Sequence, residues 1–221
     1  GAKADTSLTH STKVEVVWTV IPVLILVCMA VPAARTLIEI EDTRGTELSI
    51  KVTGYQWKWH YDYLDHGISF FSTLDRESDA ARQLGSGVDP TTIPNYLLEV
   101  DNRLVIPEGT KVRLLLTSND VIHAWWVPEF GMKKDAIPGF VNELWIKVNE
   151  GQTGLYRGQC AELCGRDHGF MPIVVEVKTR EEFAAWVEEQ QQKLSATAAV
   201  NSEQTLTPAA LPEGEGMKTG A

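Results

Sequence analysis

Between Cys160 and Met171 the chain reads Cys-Ala-Glu-Leu-Cys-Gly-Arg-Asp-His-Gly-Phe-Met, four soft or borderline metal ligands within twelve residues. Thiolate, thioether and imidazole are the donor types that select copper. The thiols lie four apart, the histidine four further on and the methionine three beyond that, so one tight loop can present all of them to a single site. A second imidazole is available from His123, in Ser118-Asn-Asp-Val-Ile-His-Ala-Trp-Trp-Val-Pro128. Two thiolates and two imidazoles with a weak thioether are more than one copper needs in a His₂Cys electron-transfer site. The surplus thiolate suggests two copper ions sharing both sulfurs. Other chemistries use some of the same residues. A Cys160–Cys164 disulfide, as in exported domains, accounts for the cysteines alone. A tetrahedral Cys₂His₂ zinc site takes in His123 and His168 but leaves Met171 without a role.

These ligands need a rigid frame, and the sequence supplies its outline. Runs rich in β-branched and aromatic residues cover Leu48 to Tyr63, Tyr96 to Val105, Lys111 to Thr117, Val121 to Val127, Leu144 to Val148, Thr153 to Gln159 and Pro172 to Val177. Gly, Pro and Asn separate them, as expected of short strands. That many strands in one stretch predict a mainly β domain, an antiparallel sandwich or barrel. In the run from Gly54 to Tyr63, strand alternation places Trp57 and Trp59 on one face, the pattern of a core stripe. Charged and turn residues in 72–92 mark a solvated insertion with at most a short helix. Phe183, Trp186, Val187 and Leu194 in Arg180 to Ala196 have the spacing of an amphipathic helix lying on the barrel. Residues 197–221 are poor in large apolar side chains, which predicts a flexible tail.

Ahead of the β domain, Val16 to Ala34 carries no charge and is long enough to cross a bilayer as a helix of roughly 28 Å. It exceeds a normal signal-peptide apolar region and has no evident cleavage site after it, which favours a retained anchor. Pro22 and Pro32 are tolerable where neighbouring helices satisfy the freed carbonyls, and Cys28 reads as a small apolar packer. Lys3 and Lys13 precede the span, whereas Glu39, Glu41 and Asp42 follow it. That asymmetry orients the start toward the cytoplasm and exports the carboxyl-terminal domain. The resulting division is a cytoplasmic-side segment at 1–13, a transmembrane helix at 14–38, an exported domain at 39–196 and the tail. With a net charge of −10 and a pI of about 5.0, nucleic acid is excluded as an expected partner. An acidic surface would steer a basic soluble protein toward it.

The ligand loop resembles that of subunit II of the haem–copper cytochrome c oxidases, which carries the binuclear CuA centre. The resemblance extends in order through Thr12-Lys-Val-Glu-Val-Val-Trp-Thr19, Gly54 to Tyr63, Leu98-Glu-Val-Asp-Asn-Arg103, His123-Ala-Trp-Trp-Val-Pro128, Lys134-Asp-Ala-Ile-Pro-Gly139 and Gly158 to Val175. It implies a cupredoxin-like Greek-key β-barrel, with a transmembrane helix before it and a short helix after it. Cys160 and Cys164 would bridge two coppers, each capped by His123 or His168, with Met171 and the Glu162 carbonyl as weak ligands. The Glu162 carboxylate would hold magnesium with a neighbouring subunit, and Trp57 would receive the electron.

Asp120, Glu129 and Asp135 lie near the His123 segment and are the candidates for a cytochrome c docking rim, Asp120 having the closest family match, and the resemblance implies that Glu15 sits at the mouth of a proton path. Tyr55 stands where relatives often have His and is given no role. The implied function is that of the electron-receiving subunit of a cytochrome c oxidase, passing electrons to haem a in subunit I, where oxygen is reduced and protons are pumped. Oxygen chemistry would lie in that partner. Subunit III, cytochrome c and the lipid bilayer are the other expected partners. A bacterial-type inner membrane with the copper domain on the periplasmic side is the expected location, in preference to a mitochondrial one.

Relatives have a two-helix hairpin, of which this chain shows only the segment resembling the second helix, and the sequence begins at Gly1. A processed, truncated or partial copy is the expectation. No C-x-x-C-H motif occurs, so no covalent haem is expected in these residues. A quinol oxidase subunit II would lack the copper ligands. A nitrous oxide reductase CuA domain would follow a catalytic propeller and lack the anchor. A copper chaperone would need an open, exchangeable site.

Overall fold

Strand alternation is clearest at β5 (Val112–Ser118), where Val112, Leu114, Leu116 and Ser118 point inward and the residues between them are partly exposed. Period-2 burial of this kind requires a covering layer on one face, and the fold provides it with two five-stranded sheets. The structure, a computed structural model, describes residues 10–205. The first sheet has the order β3 (Ile68–Ser72), β2 (Lys58–Tyr63), β1 (Leu48–Tyr55), β5, β8 (Asn142–Ile146). The second runs β4 (Leu104–Pro107), β10 (Pro172–Lys178), β9 (Gly154–Cys160), β6 (His123–Val127), β7 (Met132–Ala136). Trp59, Tyr61, Ile50 and Leu114 from the first sheet and Ile106, Trp125, Ile173 and Val175 from the second form the buried core. The result is the cupredoxin-like barrel expected.

The run Tyr96 to Val105, expected as a strand, is mostly turn and joins a sheet only at its end in β4, and three further features differ from the sequence expectation. The sheets are not wholly antiparallel, since β1 pairs with β5 and β4 with β10 in parallel. The run Leu48 to Tyr63 is a hairpin, not one strand. Gln56 and Trp57 form its turn, so Trp57 leaves the face that holds Trp59 and is only partly buried, whereas Trp59 is fully buried. The third concerns the carboxyl-terminal helix α3 (Arg180–Thr205), which is 26 residues long and not short. It continues past Ala196 through residues classed above as flexible tail, because Ala, Glu and Gln there are good helix formers. The rest of that tail, 206–221, and the start of the cytoplasmic-side segment, 1–9, lie outside the described residues.

Tyr63 ties the two sheets together. Its hydroxyl donates to the Val105 carbonyl at 2.8 Å and accepts from the Val105 N–H at 2.9 Å, in a fully buried position. Replacing Tyr63 with Phe leaves both backbone groups without that partner. Each buried unsatisfied group costs about 1–3 kcal/mol, so Tyr63→Phe is expected to lower stability by about 2 kcal/mol or more, read from the urea midpoint at unchanged slope.

The helix α1 (Thr12–Glu41) spans 30 residues, about 45 Å at 1.5 Å per residue, without a break at Pro22 or Pro32. Its apolar part has a mean hydropathy of 2.5 and none of it is buried against the β domain, as a bilayer-facing helix requires. Its last turn is pinned to the barrel. Trp145 Nε1 donates to the Glu39 carbonyl at 3.3 Å, and Lys134 pairs with Glu41 at 3.3 Å. Lys111 Nζ donates to the Asp42 and Arg44 carbonyls at 2.6 and 2.9 Å. The insertion contains the short helix α2 (Arg76–Ala81), capped by the Asp75 carboxylate, which accepts from the N–H groups of Glu77 and Ser78.

Candidate metal centre

The ligand loop is closed at its base by the sheet. Strands β9 and β10 are antiparallel neighbours, with Gln159 opposite Pro172, and the Cys160 N–H donates to the Met171 carbonyl at 3.3 Å. The twelve-residue segment therefore leaves and re-enters the barrel at one point. On its other side β9 pairs with β6, placing Cys160 opposite Trp125, and Ala161 N donates to the Ala124 carbonyl at 3.0 Å. That brings His123, the first residue of β6, beside the loop. Gly54 at the end of β1 makes room for it, since a Cβ there would lie 2.7 Å from His123 Cδ2.

The donors converge. Cys160 Sγ and Cys164 Sγ are 3.9 Å apart, and both side chains are buried. The separation is far beyond the ~2.05 Å of a disulfide, which removes that alternative in this structure, where both cysteines are free. A cation at the ~2.3 Å typical of thiolate bonds can touch both sulfurs. One imidazole adjoins each sulfur: His123 Nδ1 is 3.9 Å from Cys160 Sγ, and His168 Nδ1 is 3.5 Å from Cys164 Sγ. Met171 Sδ is 3.5 Å from Cys164 Sγ, and the Glu162 carbonyl accepts from the Cys160 thiol at 3.3 Å. His123, Cys160 and Cys164 form a compact potential metal cluster with all ligand atoms within 4.8 Å. Soft donors in a buried, closed pocket fit copper.

Electrostatics prepare the pair for a cation. Burial opposes ionisation of Cys160 most strongly, but the hydrogen bonds to His123, the Ala124 and Glu162 backbone and His168 together outweigh it and bring the thiol down to about 7. Burial, then the adjacent charge on Cys160, push Cys164 up to about 12. A single thiolate thus satisfies the metal-free pocket, whereas a cation touching both sulfurs would stabilise both as thiolates.

Asp120, expected at a docking rim, also faces the metal ligand. Its Oδ1 lies 2.9 Å from His123 Nε2, and its Oδ2 accepts from Gln56 N at 2.7 Å. A carboxylate on the far ring nitrogen orients a ligating histidine and raises its basicity. The three-residue spacing between Asp120 and His123 was the available sequence signal for this role. Loss of such a partner typically costs ten- to a hundredfold in metal affinity, so Asp120→Asn is expected to weaken copper retention by about that factor in a chelator competition titration.

Glu129 lies away from the His123 end of its strand. It sits in the turn beyond Val127, at the opposite end of β6 from His123, since four strand steps cover about 13 Å. There it lines a cavity with Ile40 of α1 and Trp145. Asp135 does lie near the site, exposed on β7 opposite Ala124. Trp57 is joined to the ligand loop: its Nε1 donates to the Cys164 carbonyl at 3.2 Å, beside Gln56 Nε2 on the same oxygen at 2.9 Å. The Glu162 side chain is exposed at the loop tip. Glu15 is in the first turn of α1, paired with His10 at 2.9 Å, well separated in sequence from the loop. Arg82, which the sequence reading placed in a solvated insertion, reaches Asp167 of the loop at 3.4 Å, a contact with no local sequence signal.

A cupredoxin-like barrel with a membrane anchor and a thiolate–imidazole metal pocket defines the class. Residues 48–178 match the family described as cytochrome c oxidase subunit II, periplasmic domain, and residues 2–35 match its transmembrane domain. The chain belongs to the cytochrome c oxidase subunit II family. It is 48% identical over 178 residues to the "Probable cytochrome c oxidase subunit 2" of Rickettsia bellii, covering 80% of this chain and 62% of that protein. It is 40% identical over 193 residues to "Cytochrome c oxidase subunit 2" of Chondrus crispus, covering 84% and 70%. The chain spans less than two thirds of the length of the Rickettsia relatives it matches.

Among solved structures, the crystallised periplasmic domain of subunit II of cytochrome oxidase (CoxB) of Bradyrhizobium japonicum is 42% identical. It aligns with a TM-score of 0.58 over 69% of this chain and 99% of that one. A mixed disulfide intermediate between a thioredoxin-like protein and subunit II of cytochrome c oxidase is also similar, at 42% identity and a TM-score of 0.55, covering 69% and 96%.

Proposed function

We propose that this chain is the electron-receiving subunit of a membrane cytochrome c oxidase. In this reading the pocket holds a binuclear CuA centre, reduced by cytochrome c at Trp57 and oxidised by haem a in subunit I. Oxygen reduction and proton pumping belong to the complex. The observation that carries the reading is the pair of buried thiols 3.9 Å apart with one imidazole beside each. Copper bound there supplies a one-electron relay.

The chain's own residues account for the rest. Cys160, Cys164, His123, His168, Met171 and the Glu162 carbonyl hold the centre, and the rigid sheet limits their movement between redox states. Asp120 fixes the His123 ring. Trp57 offers a partly exposed aromatic face whose N–H is hydrogen-bonded to the backbone of a copper ligand. Asp135 contributes to docking, the Glu162 carboxylate meets magnesium at the subunit I boundary, and Glu15 lies at a proton-path mouth. Subunit III completes the complex. The site faces the periplasm of a bacterial inner membrane, and α1 anchors it there.

The test is copper stoichiometry with EPR on the detergent-solubilised chain after copper loading. Two coppers per chain sharing one unpaired electron support the relay. One copper with a mononuclear spectrum, or zinc in preference to copper, overturns it.

A further inference from the structure

Gln56 and Trp57 hold the first half of the ligand loop through the Cys164 carbonyl. The second half is gripped from the insertion by Arg82. That half ends in a single 3-10 turn, His168–Phe170, closed by the Phe170 N–H donating to the Asp167 carbonyl at 2.9 Å. Arg82 Nη1 donates to Asp167 Oδ1 at 3.4 Å, and its guanidinium lies over the Phe170 ring, 4.3 Å from the centroid. The two contacts bracket the turn, one residue before His168 and one before Met171. From behind, Arg82 Nε donates to Asp79 Oδ1 at 2.7 Å. The helix α2 that carries Asp79 is itself anchored. Asp75 N donates to the Glu99 carbonyl at 3.0 Å, and the buried Ser78 hydroxyl accepts from Leu97 N at 3.3 Å. Arg166 also contacts Asp167, at 3.3 Å, but it belongs to the loop, is 82% exposed and lies over the Trp57 ring, 5.5 Å from its centroid. It does not tie the loop to the insertion. Between insertion and loop lies a cavity of about 230 Å³, which Arg82 lines together with Leu74, Asp79, Asp167 and Phe170.

Resting on the copper reading of the pocket, we propose that Arg82 is a positioning residue for the copper centre, a strut from the insertion that fixes the turn carrying His168 and leading into Met171. Its contacts are with the neighbours of the ligands. A planar guanidinium suits the task, because its edge pairs with two carboxylates while its face stacks on a ring. Lysine has neither the plane nor the second nitrogen. Contacts of this outer kind orient the ligands of a metal site and so govern how tightly it holds the ion. The charge of Arg82 acts in the opposite direction. A cation near a cation-binding pocket repels its ion, so by charge alone the loss of Arg82 would tighten copper. By position, its loss weakens copper.

Chelator competition and EPR on the copper-loaded full chain in detergent test this, with Arg82→Gln, Arg82→Lys, Asp167→Asn and Arg166→Gln compared to wild type. Arg82→Gln and Asp167→Asn should each weaken copper retention by about tenfold and alter the copper hyperfine pattern in the same way. Arg82→Lys, which keeps the charge, should not restore either. Arg166→Gln, which removes the same charge from the same group of side chains, should retain copper as wild type does. Opposite shifts in retention for Arg82→Gln and Asp167→Asn would mark a through-space charge effect and overturn the proposal. So would wild-type retention in Arg82→Gln, or weaker retention with an unchanged spectrum. A metal-free urea midpoint close to wild type shows that the barrel is intact, and if Arg82→Gln does not fold, Arg82→Lys and Asp167→Asn decide the matter. The wild-type chain judges the reading beneath. One copper with a mononuclear spectrum removes the binuclear centre, while the variants still report whether the strut governs retention of that copper.

Discussion

Serine in place of Cys164 is expected to reduce the copper content to one or none per chain and to eliminate the mixed-valence EPR signal. The reason is geometric as well as chemical. Cys164 contacts Cys160, His168 and Met171 together, at 3.9, 3.5 and 3.5 Å. A serine hydroxyl is a hard donor that stays protonated at neutral pH, so the soft donor that would bridge the two coppers of the proposed centre is lost. Even an outer partner of a metal ligand typically costs ten- to a hundredfold in affinity or activity. If Cys164 bridges the proposed centre, its loss should lower the rate of reduction by cytochrome c, the proposed donor, by more than ~100-fold, measured against the unaltered chain. Stability of the metal-free barrel should change little, because serine is close in volume and Cys164 lies in the loop. A Cys164→Ser chain that retained two coppers and the shared-electron spectrum would remove the bridging role assigned to this thiol.

Alanine at Gly158 is expected to be the most disruptive small substitution in the barrel. A Cβ built on Gly158 falls 2.0 Å from the Trp126 carbonyl oxygen and 2.9 Å from Val127 Cα. Both are backbone atoms of the neighbouring strand, so no rotamer change relieves the clash, and β6 and β9 must separate. Core overpacking usually costs about 1–3 kcal/mol. Here the loss should reach or exceed the top of that range, seen as a lower urea midpoint of the metal-free protein. The same separation carries His123 away from Cys160, since those two strands hold the two residues, so copper affinity should fall together with stability. Alanine there with an unchanged midpoint would show that the strands are not in this close contact.

The donor set was legible in the sequence because most of it is local. Cys160, Cys164, His168 and Met171 lie on one loop, and their types already exclude hard-metal chemistry. The membrane helix was legible because a bilayer demands a long run of apolar residues whatever the partners. Alternation in Val112–Ser118 was equally plain, because one buried face imposes a period of two. The hairpin inside Leu48 to Tyr63 was not, since Gln56-Trp57 lacks the Gly or Asn that marks a tight turn, and the core-stripe pattern continues through it. Glu129 and Asp120 show what nearness in sequence leaves out. Nearness in sequence to His123 suggested a shared rim, but a strand carries Glu129 to the other end of the barrel, and a turn folds Asp120 back onto the imidazole.

By itself, then, the sequence determined the ligand types, the loop that presents most of them, the anchor and the β class, each of which depends on residues close together along the chain. Only the tertiary structure decided that His123 meets the loop, that Asp120 holds its ring, that Arg82 reaches the loop from the insertion and that Arg166 covers Trp57. Those contacts depend on which strands lie side by side. That choice, including the parallel pairing of β1 with β5 and of β4 with β10, is made by burying two sheets against one core. No local pattern of residues encodes it.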